Sequence, residues 1–301
     1  MRIGIVSAVV IGLAAHGAPV APKVVAVDVD GMVHPVTTEI VGSALAQAKR
    51  DGASLVIVRL NTPGGLMDAM RDTISEIIAS PVPVVTYVEP SGGRAASAGF
   101  FLLEAGDVAA MAPGTNTGAA HPVALGGDMD AVMKEKVEND AAASLRSIST
   151  KRGRNAALAE TAVRQSKSFT EREALDQHLI DLVAPSEAEL VAELDGRTIT
   201  RFDGTKITLH TTGASIEVYQ PTLRQKIIAA VADPNIALVL LVLGALGIYV
   251  EFSSPGLIAP GIVGAILVLL GLSALSVLPI NWLGAALLVL AFTLFVLEAK
   301  F

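Results

Sequence analysis

The fold is decided by residues 55–65, which carry the sequence LVIVRLNTPGG. The first six residues are apolar apart from Arg59 and rich in β-branched side chains, so they predict a buried strand. The glycine pair that ends the segment predicts a turn. Similar apolar runs alternate with helical patterns: the runs lie at 24–29, 84–88 and 108–111, and the helices at 37–50, 66–79 and 130–152. This alternation predicts an α/β fold with a mainly parallel sheet and right-handed crossovers.

Two further elements follow the alternating region. Residues 198–209 contain two short β-rich runs around an Asp-Gly pair, which predicts a hairpin. Residues 223–231 have an amphipathic pattern that predicts a helix. We therefore expect a domain at 23–220, with the hairpin as an extension at about 195–218, and a helix that leads out of it.

The carboxyl-terminal region is almost free of charge and predicts a membrane domain. From Pro234 to Leu297 the only charged residue is Glu251. The whole chain of 301 residues is 52% hydrophobic and only 17% charged, with a mean hydropathy of +0.58. A run of this length corresponds to about three helices, each crossing a ~30 Å hydrocarbon core. Because prolines punctuate the run, we predict three spans within a domain at 232–301, located at 235–252, 259–277 and 282–299.

The amino terminus has the layout of a secretory signal peptide. Arg2 precedes an apolar stretch at 3–15, and small residues follow it. Residues 1–18 are therefore predicted to be a signal peptide or an N-terminal anchor. Either one would place the domain at 23–220 outside the cytoplasm, in a multi-pass membrane protein.

Composition and charge exclude several classes of function. Twenty-two Lys and Arg residues against 29 Asp and Glu residues give a net charge of −7, which leaves no basic surface for nucleic acid. The absence of cysteine excludes disulfides, thiolate metal sites and a cysteine nucleophile. The five histidines lack the spacing of an HExxH zinc motif, so the sequence predicts no metal and no other cofactor.

Two glycine-rich turns, each after a predicted strand, carry the candidate chemistry. They are NTPGG at 61–65 and GGRAASAG at 92–99. Paired glycines let backbone N–H groups face a site, and Ser97 stands among small residues at a predicted helix start. A nucleophile beside such N–H groups is what acyl transfer requires. The alternatives are turns with a purely structural role, or a phosphate cradle without the P-loop or dinucleotide-binding pattern.

Ordered blocks of sequence resemble the membrane-bound serine proteases of the NfeD family. The blocks are NTPGG at 61–65, AASAG at 95–99, GAAHP at 118–122, KVEND at 136–140, RGRN at 152–155 and LIDLV at 179–183. With the predicted three-span tail, the likeness covers roughly 24–299. These proteases belong to the ClpP class, alongside signal peptide peptidase A. The resemblance therefore implies a ClpP/crotonase-like parallel-sheet domain followed by an all-α transmembrane domain.

In that family a Ser-Lys dyad hydrolyses peptide bonds, and the resemblance implies a role for particular residues here. It implies a nucleophile at Ser97 and a general base at Lys136. It implies oxyanion-hole N–H groups at Gly65 and Ala98. A lysine that acts as a base must be desolvated, so that its pKa falls toward ~7–8.

The identity of the base stays open on the sequence alone. On a wheel of the third predicted helix, Lys136 lies at the flank of the apolar stripe and Lys134 lies nearer its middle. Asp140, one turn beyond Lys136, could pair with it and oppose its role. His121 is the alternative base of a Ser-His-Asp triad, or a residue that shapes the substrate cleft. No aspartate stands at 166–168, where the ClpP pattern would place the carboxylate of such a triad.

The predicted function is a membrane-anchored serine endopeptidase that cleaves apolar segments of membrane-associated proteins through an acyl-enzyme. The resemblance implies a stomatin-type partner and a homo-oligomer. The alternatives are a non-catalytic membrane scaffold that binds a stomatin-like partner and an acyl-CoA enzyme of the related crotonase type. Long NfeD proteins usually continue past the last span into a small β-barrel domain, whereas this sequence ends at residues 298–301, EAKF.

Overall fold

The structure is a computed structural model, and it describes residues 21–124, 129–232, 234–254 and 259–275. The predicted signal peptide at 1–18 and the predicted third span at 282–299 lie outside the described residues. Within them, eleven strands form three sheets. The strands are β1 (Lys23–Asp30), β2 (Leu55–Asn61), β3 (Val84–Val88), β4 (Arg94–Ala96), β5 (Val108–Met111), β6 (Asn116–Gly118), β7 (Ser168–Thr170), β8 (Leu182–Val183), β9 (Thr198–Thr200), β10 (Lys206–Thr208) and β11 (Ser215–Val218).

Ten helices accompany these strands in the described part of the chain. They are α1 (Pro35–Asp51), α2 (Met67–Ala79), α3 (Ala98–Ala105), α4 (Ala131–Lys151), α5 (Ala156–Arg164), α6 (Glu171–Asp176), α7 (Glu187–Leu194), α8 (Leu223–Ala232), α9 (Pro234–Ser253) and α10 (Ala259–Leu275). The four strands and three helices predicted between residues 24 and 152 are all present with nearly the predicted ends. The helix predicted at 223–231 is also present as α8.

The main sheet has six strands in the order β11-β1-β2-β3-β5-β8, and every neighbouring pair is parallel. Both faces of this sheet are covered. Alternate residues of β1, such as Val25 and Val27, pack with α1 to α6 on one face. The residues between them, such as Val24 and Ala26, pack with α7 and the β9–β10 hairpin on the other. This arrangement confirms the predicted parallel α/β fold and explains why the central strands are continuously apolar.

Parallel pairing brings the carboxyl ends of all six strands to one edge of the sheet, which we call the carboxyl edge. The predicted glycine turns follow β2 and β3 and therefore lie there together. A second sheet, β4-β6-β7, continues from this edge. An isolated parallel bridge between Thr62 and Ala95 joins the two turns. Ligand sites of parallel α/β sheets commonly lie at this edge.

Helices α9 and α10 form the described part of the membrane domain. Residues Asn235–Ser253 of α9 are long and apolar enough to cross a membrane, and α10 is a shorter apolar helix. The two helices pack closely through glycine. A Cβ atom added to Gly244 would lie 2.6 Å from the carbonyl oxygen of Gly264. Small residues at such contacts are typical of helix pairs within membranes.

A buried carboxyl group in α3 makes the stability of the domain depend on pH. Glu104 is fully buried, accepts a hydrogen bond of 2.7 Å from the Ser149 hydroxyl, and lies near Arg154. Burial raises the pKa of Glu104 from 4.5 to about 7, against the opposing effects of Arg154 and Ser149. Between these two values the folded chain binds more protons than the unfolded chain, so the free energy of unfolding falls as pH rises.

We expect Glu104→Gln to stabilise the domain at pH 8 and to have little effect at about pH 4.5. The neutral amide avoids the cost of burying a charge, and the gain at high pH should reach up to about 3 kcal/mol. Thermal unfolding of the detergent-solubilised chain, followed by circular dichroism at both pH values, measures the difference. Glu135→Gln, at an exposed position of α4, is the control. An effect of Glu104→Gln that is equal at the two pH values would contradict the prediction.

Candidate active site at the carboxyl edge

Ser97 joins β4 to α3 and is the N-cap residue of that helix. Its backbone has φ 53° and ψ −117°, an uncommon conformation for a residue other than glycine. The backbone is held there because the Ser97 N–H donates to the carbonyl oxygen of Gly118 at 2.8 Å. Strained positions of this kind cluster at functional sites. Ser97 is half-buried and differs from an ordinary helix cap, because its side chain makes no capping hydrogen bond.

The first glycine turn packs directly against this serine. Thr62 anchors the turn to β4, because its N–H donates to the carbonyl oxygen of Arg94 and its own carbonyl oxygen accepts from the N–H of Ala96. Gly64 has φ 122°, and a Cβ atom added to it would lie 2.6 Å from Ser97 Cβ and 3.0 Å from Ser97 Oγ. Only glycine fits this contact, so bare backbone lies beside the serine.

Two backbone N–H groups near Ser97 have no hydrogen-bond partner among the described residues. They belong to Gly65 and Ala98, the two predicted oxyanion-hole residues. The N–H of Gly64, by contrast, donates to the Thr62 hydroxyl at 3.0 Å. The first N–H groups of a helix lack partners within the helix, and Ala98 opens α3. Unpaired donors beside a serine could stabilise a developing oxyanion.

Neither candidate lysine makes a hydrogen bond to the serine. Lys136 and Lys134 both lie in the exposed first half of α4, and the side chain of neither makes a hydrogen bond or ion pair to any residue that the structure describes. The sequence left open a pair between Asp140 and Lys136. Asp140 does not make that pair. It forms an ion pair with Arg71 of α2 instead, which removes that objection to Lys136.

His121 is held by the main chain rather than by a carboxylate. Its Nδ1 lies 2.9 Å from the carbonyl oxygen of Val163, so Nδ1 carries the proton of that hydrogen bond. No described residue contributes a carboxylate to this ring, and its side chain makes no hydrogen bond to Ser97. At the place where a ClpP-type triad would have its aspartate, β7 contributes Phe169 to the core, with Lys167 over its ring. Among the described residues, the site therefore has no carboxylate that could orient His121 in a triad.

Another titratable group with an altered pKa lies at the same edge but on the other face of the sheet. Burial raises the pKa of Glu89 to about 7, the charge of Glu187 adds to the effect, and the charge of Arg59 opposes it. Arg59 also contacts Glu187 and Asp28. Because α3 packs on the opposite face, this cluster supplies no group to Ser97.

The sequence drew attention to Gly65 but not to the parts played by Gly64, Thr62 and Gly118. Gly118 has φ 108°, and a Cβ atom added to it would lie 2.4 Å from the carbonyl oxygen of Lys167. These residues position Ser97 without offering a reactive group. The sequence signal for these residues was their place in the quoted blocks. Thr62 and Gly64 belong to NTPGG, and Gly118 belongs to GAAHP.

The fold and the site define a parallel α/β domain with a serine of unusual backbone conformation at its carboxyl edge, followed by apolar helices. Residues 23–216 match the family model described as the NfeD1b N-terminal domain, and residues 235–301 match the NfeD integral membrane domain. The chain belongs to the NfeD family, which confirms the family inferred from the ordered blocks. The α/β domain is followed by a helical membrane region, as predicted.

Curated relatives include a protein named as a protease. The chain is 35% identical over 256 residues to membrane-bound protease PH1510 of Pyrococcus horikoshii, a match that covers 84% of this chain and 58% of that protein. It is 29% identical over 230 residues to membrane protein NfeD1b of Bacillus subtilis, covering 75% and 50% of the two chains. The chain thus spans about half the length of the curated relatives it matches.

Solved structures of a related protease domain share the fold. One is a lysine-to-alanine variant of the 1510-N membrane-bound stomatin-specific protease in complex with a substrate peptide. It has a TM-score of 0.64 and 30% identity, and the match covers 69% of this chain and 97% of that one. A serine-to-alanine variant of the same protease has a TM-score of 0.63 and 31% identity, with coverage of 67% and 100%. These likenesses support a protease attached to a membrane.

Proposed function

We propose that this chain is a membrane-bound serine endopeptidase in which Ser97 is the nucleophile and Lys136 is the general base. The observation that carries the proposal is the setting of Ser97, with its positive φ, the bare backbone of Gly64 against its side chain, and unpaired N–H groups nearby. A purely structural turn would not need all three features together.

The proposed chemistry is acyl transfer. Lys136 Nζ takes the proton of Ser97 Oγ as that oxygen attacks the scissile carbonyl, and the N–H groups of Gly65 and Ala98 stabilise the resulting oxyanion. The protonated lysine then gives its proton to the leaving amine as the C–N bond breaks. Water hydrolyses the acyl-enzyme in a second round that regenerates both side chains. No metal or nucleotide takes part.

The base has to be desolvated for this reaction, and the free structure leaves Lys136 exposed. We propose that the substrate supplies the apolar cover when it lies between the first half of α4 and the carboxyl edge. Val132 and Met133, both exposed on α4, offer apolar surface for it. An apolar peptide segment fits this requirement better than a charged one, because it also excludes water from the lysine.

A structural relative and this exposed apolar surface support the proposed substrate class. A structural relative is described as stomatin-specific and was solved with a substrate peptide. We propose that apolar segments of a stomatin-type membrane protein are the substrate, and that the protease acts as a homo-oligomer. The proposed domain layout is a signal peptide or anchor at 1–18, a protease domain at 23–220 outside the cytoplasm, and three spans within 232–301.

A peptidyl phosphonate that carries an apolar sequence tests the proposal, because it reacts only with an activated serine. Mass spectrometry of the full detergent-solubilised chain should find one phosphonyl group, located on Ser97. The label should be absent in Ser97→Ala and retained in Ser91→Ala, which alters an exposed serine of the same turn region. A folded chain that takes no label and cleaves no apolar peptide would instead be a binding scaffold.

A further inference from the structure

The short helix α8, between the α/β domain and the first membrane helix, has an apolar face that the domain leaves exposed. Leu223 is 75% exposed and Ile227 is 55% exposed, and they lie one turn apart on the same side of α8. Arg224 and Lys226 flank this side. Such a helix, with an apolar stripe between basic residues, is typical of those that lie in a membrane interface.

The opposite side of α8 is fixed to the α/β domain. Gln225 is 2% exposed, and its amide group donates to Glu39 and to Ser43 of α1 while accepting from the hydroxyl of Tyr219. An ion pair between Arg224 and Glu39 adds to the contact. The helix is therefore part of the folded domain and not a free linker, so a surface that binds α8 also orients the domain.

We propose that α8 lies in the headgroup region of the membrane that α9 enters, with Leu223 and Ile227 inserted into the lipid. Continuity with α9 identifies a lipid surface as the occupant of the exposed face, since α9 begins at Pro234, directly after α8. Lys226 can extend toward phosphate groups while its aliphatic stem lies along the apolar stripe, and Arg224 keeps its ion pair with Glu39.

The topology of the sheet sets which part of the domain then faces the membrane. β11 pairs with β1 in parallel, with Ser215 opposite Lys23 and Val218 opposite Ala26. β11 therefore runs toward the carboxyl edge but ends opposite the middle of β1. The chain then enters α8, which contacts Glu39 and Ser43 in the first half of α1, the half nearer the same edge. Strands in a sheet lie about 4.8 Å apart, so β3, three positions from β11, lies about 15 Å to its side. β3 ends level with Val29 of β1, about 10 Å further toward the carboxyl edge than the end of β11. In the proposed orientation the turn with Ser97 therefore faces the bilayer.

This orientation limits which peptide bonds the site can reach. If the proposed protease function holds, the substrates are segments that emerge from the same membrane close to its surface. The position of α8 itself does not depend on catalysis, so it can be tested in an inactive Ser97→Ala chain.

The absence of cysteine makes the test direct, because a single introduced thiol carries the only label. An environment-sensitive fluorophore at Ile227→Cys is compared with one at Arg50→Cys, an exposed position at the far end of α1. The full chain is reconstituted into vesicles of phosphatidylcholine with a minority of phosphatidylglycerol. We expect lipid-attached quenchers to quench the first label strongly and the second little. Equal access of aqueous iodide to both labels would overturn the insertion of α8.

A second pair of labels tests the orientation. Donor dyes at Ser91→Cys, on the carboxyl edge, and at Arg50→Cys, at the far end of α1, transfer energy to an acceptor in the headgroups. β1 has eight residues, so the two sites differ in height by about 25 Å when the carboxyl edge faces the lipid. We expect much stronger transfer from Ser91. Equal transfer, or stronger transfer from Arg50, would overturn the orientation whatever the chain's activity.

Discussion

Replacing Lys136 with alanine is expected to lower kcat/KM for an apolar peptide by ~10³-fold or more, whereas Lys134→Ala should stay near the wild-type value. Without the base, the serine hydroxyl keeps its proton at neutral pH and is a weak nucleophile. The two lysines form a matched pair, because both are exposed, unpaired within the described chain and located two residues apart on α4. Peptide hydrolysis by the full chain in detergent gives both values.

The variant Lys136→Arg separates a base from a mere positive charge. Arginine keeps the charge and much of the length, but it cannot give up its proton in a protein. We expect Lys136→Arg to be as inactive as Lys136→Ala. Substantial activity in this variant, or a large loss in Lys134→Ala with Lys136→Ala intact, would show that Lys136 is not the base.

His121→Ala in the same assay addresses the remaining alternative. The Nδ1 proton of His121 is directed to a main-chain carbonyl, and no carboxylate orients the ring among the described residues. We therefore expect a smaller loss than for the lysine variants, arising from altered contacts in the cleft. A complete loss here with full activity in Lys136→Ala would favour a triad.

The central strands could be predicted from sequence because a strand buried on both faces has a continuous run of apolar residues. β3 is buried at all five positions, and its apolar run gave both of its ends correctly. β11 was missed for the opposite reason. It has four residues, none of them fully buried, and its pairing with β1 joins segments almost 200 residues apart. Local composition carries no information about such a partner, yet this strand determines where the chain leaves the domain.

The site shows the same division between local and distant information. The serine at a helix start was predicted, since small residues and a glycine turn mark that position within a few residues. The choice of Lys136 over Lys134 came from the resemblance and stays a prediction, since the helical wheel that favoured Lys134 assumes that one face of the helix is buried. The first half of α4 has no buried face in the described structure, so its periodicity does not indicate which lysine is the base. The remaining evidence for Lys136 is the KVEND block and the family to which the chain belongs.

Gly64→Ala is expected to reduce kcat/KM by ~10²–10³-fold while the domain stays folded. The new Cβ atom would lie 2.6 Å from Ser97 Cβ, where ordinary contacts are much longer. Either the serine or the first glycine turn must move, and a shift of about 1 Å at a nucleophile is enough to cost ~10²-fold. The rate of phosphonate labelling should fall in parallel, because the displaced serine is less well activated.

Gly92→Ala is the matched control for this variant. Gly92 has φ 86°, and an added Cβ atom would meet nothing within 4 Å. Both substitutions place alanine at positive φ and should cost roughly 1–3 kcal/mol of stability from backbone strain. Only Gly64→Ala adds a collision with Ser97, so we expect it to lose somewhat more thermal stability than Gly92→Ala and far more activity when both variants are assayed well below their melting temperatures. If Gly92→Ala lost as much activity as Gly64→Ala, backbone strain alone would explain both, and the contact between Gly64 and Ser97 would have no special part in positioning the nucleophile.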